Sequence, residues 1–406
     1  AFKKIEKYEK GVNFIDKYLK INIEDISDDW IVRNYGWCLY YLLKQKFNID
    51  EHWNDEEQFS TEETAVIDET INTDVNSFFK KIKSILNKLN IEDAGNFVSS
   101  KLLFIFLKLV DKKFKNSWGL GLELLNSINP IHLSKEISTG KYKGKDIEYA
   151  SDFENWHAQK SKALFALGKY DECITFSHEV LNKGILKHYD YDIWFKRRIG
   201  LCHFKLNDLK KALSCLSDVI KFKKDWFIQK DIAEIFYELG EYEKSFKYAL
   251  DAALNRGEQK FKCDLYILLY NILKDTKDKE FALKHLQLAA AIKIKEEWKL
   301  GEMLSNYLSE NKLSSEGIDF KLLEKELKLF YHSKLKTGTL QKINPQSKIG
   351  FINSNGNPIF FRFNAFSGSL SKIKDNIEVY FSDDISYDRK RKQDSVAAIY
   401  LCIKNN

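Results

Sequence analysis

Apolar residues recur every three to four positions through most of this chain, the spacing that lines one face of an α-helix. Trp30 to Leu43 (WIVRNYGWCLYYLL) and Ala94 to Ile128 carry it, and it returns after Ser151 and continues to about Leu308. Ser151-Asp-Phe-Glu154 is a capping-box sequence and predicts a helix start. Just before it, STGKYKGKDIEYA (138 to 150) alternates around two glycines and predicts a small hairpin or loop. After one more helical stretch, Phe320 to His332, the period drops to two. Five short strands are then predicted at 336–343, 348–353, 358–363, 376–382 and 395–403. The pattern places a long helical body before a small all-β domain.

The helical body repeats itself. In FALGKYDECITFSHEVL a turn at Gly168 precedes Tyr170, Cys173 and Val180; in FKLNDLKKALSCLSDVI the turn at Asn207 precedes Leu209, Ala212 and Val219; in YELGEYEKSFKYALDAA Gly240 precedes Tyr242, Ser245 and Ala252. The small residues Cys173, Ala212 and Ser245 lie 39 and 33 positions apart, and a small residue lets two antiparallel helices approach closely. A weaker unit centres on Ala282, and Trp298 to Leu308 reads as a closing helix. Together with Ile199-Gly200 in a first helix, this pattern resembles the tetratricopeptide repeat. The resemblance implies a mainly α protein, an α-solenoid of antiparallel helix pairs. The organisation expected is 1–135 as degenerate repeats, 136–319 as the superhelix, 320–335 as a connecting helix and 336–406 as the β domain. In such a superhelix Trp194, Arg197, Arg198, Trp226, Phe227 and Lys230 fall on or near the concave face. They suit a groove for an acidic peptide tail or a phosphate backbone, or rings packed between repeats with their basic neighbours solvated.

Five short strands in about 70 residues suit a small Greek-key barrel of the OB type. Gly338, Leu340, Asn344, Gly350-Phe351-Ile352, Gly356, Ile359-Phe360-Phe361 and Phe363 follow in an order that resembles a cold-shock domain. In that family a Gly-aromatic-Gly-Phe-Ile strand and a Phe-rich strand carry two RNA-binding motifs. The resemblance implies that Phe351, Phe360, Arg362 and Phe363 face nucleic acid. Strand parity alone puts Ile352, Ile359 and Phe361 on the opposite side from Phe351, Phe360 and Arg362, with Phe363 at the strand end. Three positions depart from the family: Lys342 replaces a stacking Trp, Ile349 replaces an aromatic and Arg362 replaces a His. Each lost ring removes about 1–3 kcal/mol of base stacking, while Arg362 can still stack its guanidinium plane and Lys342 can meet a phosphate, so binding on this surface, to which Lys348 also belongs, is expected to be weaker and more salt-dependent than in a typical member. Arg389, Lys390, Arg391 and Lys392 add a basic hairpin tip to the candidate surface.

Charge sharpens this division. Residues 336–406 hold 11 Lys/Arg against 6 Asp/Glu, so nearly all of the chain's formal +6 sits in its last sixth. Asp50 to Asp74 holds ten acidic residues and no Lys or Arg. It reads as a solvated loop, or as an internal competitor for the basic barrel. The six cysteines lie far apart without CxxC spacing, which predicts reduced, buried thiols and no zinc site. The eight histidines form no catalytic or metal spacing, and no phosphate-binding glycine loop occurs. No stretch reads as a membrane span or export signal. The expectation is a cytoplasmic, non-enzymatic adaptor without metal or cofactor. Its superhelix would hold a protein partner and its barrel single-stranded nucleic acid, RNA before DNA. The alternative is a pure protein-interaction scaffold with a repurposed barrel. Helical repeats carrying a nucleic-acid module also resemble accessory components of bacterial defence systems, and the Lys/Asn/Ile-rich composition suits an AT-rich bacterial genome.

Overall fold

The computed structural model describes residues 8–13, 16, 23–49, 69–89, 97–142, 145–310, 319–388 and 391–404. Most of the acidic run, residues 50–68, lies outside them, as do Arg389 and Lys390. The described chain is mostly helical and ends in a closed five-stranded barrel. It divides into two compact units between Cys202 and His203, inside one helix.

The first unit contains α1 (Tyr8–Asn13), α2 (Asp29–Phe47), α3 (Glu69–Lys88), α4 (Phe97–Lys113), α5 (Trp118–Asn126), α6 (Asp152–Ala166), α7 (Tyr170–Asn182) and most of α8 (Tyr191–Lys205). Its core is built from Leu39 and Leu43 of α2, Ile82 and Ile85 of α3, and Leu102, Phe106 and Leu107 of α4. The helix α4 is buried along Leu102 to Val110, which accounts for the most apolar window in the sequence. Between α5 and α6, β1 (Ser138–Tyr142) and β2 (Lys145–Tyr149) form the expected antiparallel hairpin. The capping box is present: Glu154 N donates to Ser151 Oγ at 3.2 Å, and Ser151 N donates to Glu154 Oε2 at 3.4 Å.

The second unit contains α9 (Leu209–Ile220), α10 (Trp226–Glu238), α11 (Tyr242–Leu254), α12 (Cys263–Leu273), α13 (Lys279–Lys295), α14 (Glu302–Glu310) and α15 (Phe320–Ser333), followed by the barrel. Three interhelical turns share one geometry. Gly168, Asn207 and Gly240 take left-handed φ values of 71°, 61° and 74°. The next residue's N–H closes on the carbonyl five positions back: Lys169 on Leu164, Asp208 on His203 and Glu241 on Phe236, at 3.0, 2.8 and 2.9 Å. That bond satisfies an orphan helix carbonyl. The small residues that mark the repeat, Cys173, Ala212, Ser245 and Ala282, are all fully buried. Ser245 Oγ donates to Ala233 O at 2.7 Å, and Cys173 Sγ to Ser161 O at 3.3 Å, so each sits against the helix before it. The predicted closing helix starts later than the periodicity suggests. Trp298 instead terminates α13, its N–H on Lys293 O at 2.8 Å after a left-handed Glu297 (φ 57°).

The barrel strands are β3 (Lys336–Asn344), β4 (Ile349–Ser354), β5 (Asn357–Arg362), β6 (Glu378–Asp388) and β7 (Gln393–Ile403), closed in the order β3-β4-β5-β7-β6. The β5-β7 pair is parallel and the others are antiparallel, the arrangement of an OB-like barrel. Leu340, Ile352, Phe361, Val379, Phe381 and Leu401 fill it with no exposed surface. A Cβ on Gly350 would lie 2.7 Å from both Ile343 and Phe361, so glycine is needed where those chains meet. All six cysteines are free thiols; five are buried and Cys215 is partly buried. No described helix is long and apolar enough to cross a membrane, and no metal-ligating cluster occurs among the described residues.

Candidate nucleic-acid interface

Four strands contribute to one rung across a face of the barrel. Register pairs Gln341 with Phe351 and Phe351 with Phe360, and the rung ends on Ala397 of β7. Because side chains alternate, Phe351 and Phe360 stand on the face opposite Ile352 and Phe361. Both rings are half-buried, edge to face with centroids 5.8 Å apart. The Arg362 guanidinium carbon lies 5.9 Å from the Phe360 centroid, on an exposed side chain. Such a pair leaves π surface for a flat partner, and the guanidinium adds charge beside it.

Lys342 reaches this region through a β-bulge. Pairing between β3 and β4 shifts between Gln341 and Asn344, and Lys342 takes a left-handed φ of 53°. Simple alternation would turn Lys342 inward after Leu340; the extra residue sends it out and lets Ile343 point at the core instead. Lys348, also left-handed (φ 53°), closes the β3-β4 turn, and its carbonyl accepts the Phe363 N–H at 2.9 Å. Lys342 and Lys348 are both exposed. No carboxylate forms an ion pair with Lys342, Lys348 or Arg362 among the described residues.

Phe363 does not belong to the surface. The strand ends at Arg362, the chain enters a short 3₁₀ turn, and Phe363 is buried against Phe361 with centroids 6.1 Å apart and planes at 18°. The end of regular pairing cancels the alternation that would have kept it at the boundary. Of the basic tip, Arg391 and Lys392 are exposed, and Arg391 lies 3.8 Å from the Asp388 carboxylate.

The anticipated groove residues are mostly internal. Trp194, Arg197, Trp226 and Phe227 are buried, so they are unavailable as an open lining. Trp194 Nε1 donates to Tyr189 O at 3.1 Å, and Trp226 packs edge to face on Phe227. Arg198 and Lys230 are partly exposed but engaged: Arg198 donates to Ser161 Oγ at 3.0 Å, and Lys230 to Glu234 at 2.7 Å. Helices with neighbours on several sides leave little face for a ligand, and the rings take that interior space.

The barrel is fixed to the helices of its own unit by groups that no motif marked. Asp383 and Asp384 of β6 are buried. Lys336 Nζ donates to Asp383 at 2.8 Å, and Lys224 Nζ to Asp384 at 3.4 Å and to the Ile385 carbonyl. Ser382 Oγ donates to Asp251 Oδ1 at 2.5 Å, while Lys247 lies 3.9 Å from the same carboxylate and 3.8 Å from Asp384. Burial pushes Asp251 up to about 7, against the pull of Lys247 and Ser382. Farther along the hairpin, Lys221 Nζ reaches Asp394 at 3.1 Å, and its carbonyl accepts the Tyr387 N–H at 3.3 Å. Acids of β6 and β7 are thus held by lysines, Lys247 from α11 and Lys221 and Lys224 from the turn between α9 and α10, while Lys342, Lys348 and Arg362 form no ion pair among the described residues.

These features define a chain of antiparallel helix pairs carrying an OB-like barrel with one aromatic and basic face. No known family model matches the sequence, and no curated protein matches it either.

Proposed function

We propose that this protein is a non-enzymatic, cytoplasmic adaptor of the tetratricopeptide-repeat kind whose cold-shock-like barrel binds single-stranded nucleic acid while its helical pairs hold a protein partner. The observation that carries the reading is the Phe351-Phe360 pair on adjacent strands, with Arg362 beside it and two exposed lysines, Lys342 and Lys348, that form no ion pair among the described residues. Barrels of this topology take oligonucleotides on the face of their second and third strands, between the loop after the first strand and the hairpin joining the last two. Here those elements are β4, β5, the Asn344–Lys348 turn and the Asp388–Gln393 hairpin tip. Stacking on aromatic rings is tolerant of sequence, whereas two rings in place of a fuller set give weak binding.

The test is fluorescence anisotropy of the full chain with single-stranded RNA and DNA 12-mers at low salt. The double variant Phe351→Ala/Phe360→Ala is compared at matched melting temperature. A loss of about tenfold or more supports the reading; binding that is unchanged, or absent in the parent chain, rejects it.

A second reading, a protein-interaction scaffold with a repurposed barrel, draws on a different observation. Ile385 and Val396 pair across the β6-β7 hairpin with 48% and 54% of their surface exposed, an apolar rung on an otherwise polar stretch. Absence of oligonucleotide binding in the parent, together with protein capture that Ile385→Ser abolishes, would favour it.

A further inference from the structure

Away from the aromatic face, a cleft of about 290 Å³ lies between α15 and the loop that follows β5. It is lined by Lys325, Lys328 and His332 from α15, by Ser367, Gly368, Ser369 and Lys372 from the loop, and by Cys402 from β7. The helical period explains one wall, since residues 325, 328, 329 and 332 fall on one stripe of α15. The opposite stripe, Leu323, Leu327, Phe330 and Tyr331, is buried. A left-handed Gly368 (φ 148°) shapes the other wall, a backbone conformation that few other residues adopt.

The chemistry of the lining is one-sided. Three lysines and two serines line the space, and no Asp or Glu does so among the described residues. Lys325, Lys328 and Lys372 form no ion pair among the described residues. Burial, and after it the charge of Lys328, hold His332 below the usual imidazole range. The His332 ring is fixed in the wall of the cleft, stacked on Tyr380 with centroids 5.6 Å apart and 3.2 Å from the Tyr400 hydroxyl. A donor-rich, triply cationic cleft is best filled by a compact dianion with several acceptor oxygens. A single carboxylate would leave most of the charge and most of the donors unmatched. The volume sits near the lower bound of small-ligand sites, about 300 Å³, which suits one phosphorylated unit rather than a length of chain. Leu329 and Ile403 add apolar surface alongside.

We propose that this cleft binds a phosphomonoester, that of a free nucleotide or of the phosphorylated end of a nucleic-acid strand. The site shares no residue with the Phe351-Phe360 face, so it stands or falls separately from the stacking reading.

The experiment uses the full chain. AMP and adenosine are compared by isothermal titration, and 12-mers ending in 5′-phosphate, 3′-phosphate or hydroxyl are compared by anisotropy. The phosphate should strengthen binding by about tenfold in at least one of the two series. Lys325→Gln/Lys328→Gln, both exposed and expected to keep the parent melting temperature, should erase that advantage. Phe351→Ala/Phe360→Ala should weaken strands with any end alike and leave AMP unaffected. An advantage for AMP alone assigns the free nucleotide, and one for an end-phosphorylated strand assigns the strand end. AMP equal to adenosine with no end effect overturns the proposal, as does an advantage that survives the lysine substitutions.

Discussion

Lys342 carries two demands that pull apart. Its left-handed backbone at the bulge strains any residue with a Cβ by about 1–2 kcal/mol, yet its exposed side chain is one of the cations proposed to meet nucleic acid. Lys342→Gly should therefore raise stability by about 1 kcal/mol in denaturant titration and weaken oligonucleotide binding, with a shallower salt dependence. Gain of stability without loss of affinity would show that the side chain has no part in binding. Asp251 is a second residue under tension. Its folded-state pKa, about 7, lies above the ordinary carboxylate value of 3.8, so the folded protein holds the extra proton between those limits. Its contribution favours folding at low pH and is lost as pH rises through about 7. Asp251→Asn keeps an acceptor for Ser382 and removes the buried charge. Its melting temperature relative to the parent should rise between pH 5 and pH 8.

At the scale of elements, α15 joins the helical pairs to the barrel, and its two stripes do different work. The inner stripe is pinned by His285, which is buried and held down to about 4 by desolvation, so its ring is neutral. Nδ1 donates to Phe281 O at 2.6 Å, and Nε2 accepts from the Tyr331 hydroxyl at 2.8 Å. Tyr331→Phe leaves that nitrogen buried without a donor and should destabilise the protein by about 1–3 kcal/mol, read by chemical denaturation. The strands were legible from alternation, but the length of β6 was not. The sequence reading ends it at 382, whereas the strand runs to Asp388. Asp383 and Asp384 fall just past that predicted end; they are buried, and Lys336, Lys224 and Lys247 come to them from elsewhere in the chain. The fate of Phe363 was hidden for a related reason, since alternation predicts a side only while pairing continues.

For the whole molecule, the excess of positive charge in the last sixth acquires a direction. Asp383, Asp384, Asp388, Asp394 and Glu378 each have a cationic partner, while Lys342, Lys348 and Arg362 form no ion pair among the described residues. If those three meet phosphates, the logarithm of the single-strand binding constant should fall with the logarithm of salt concentration at a slope of about −2. A slope near zero would leave stacking alone as the source of affinity. Local periodicity was enough to determine most of the helices, the repeated turns, the faces of Phe351, Phe360 and Phe361 and the split between helical body and barrel, because each depends on residues within a few positions of one another; it missed α3, whose first residues, Glu69–Asp74, lie in the acidic run that read as a loop. Tertiary structure decided which charges are buried, that Trp194, Arg197, Trp226 and Phe227 fill the interior, and that Lys325, Lys328 and Lys372 share a cleft. Those outcomes depend on partners distant in the chain, and burial and pairing follow from what folding brings alongside a residue rather than from its neighbours in sequence.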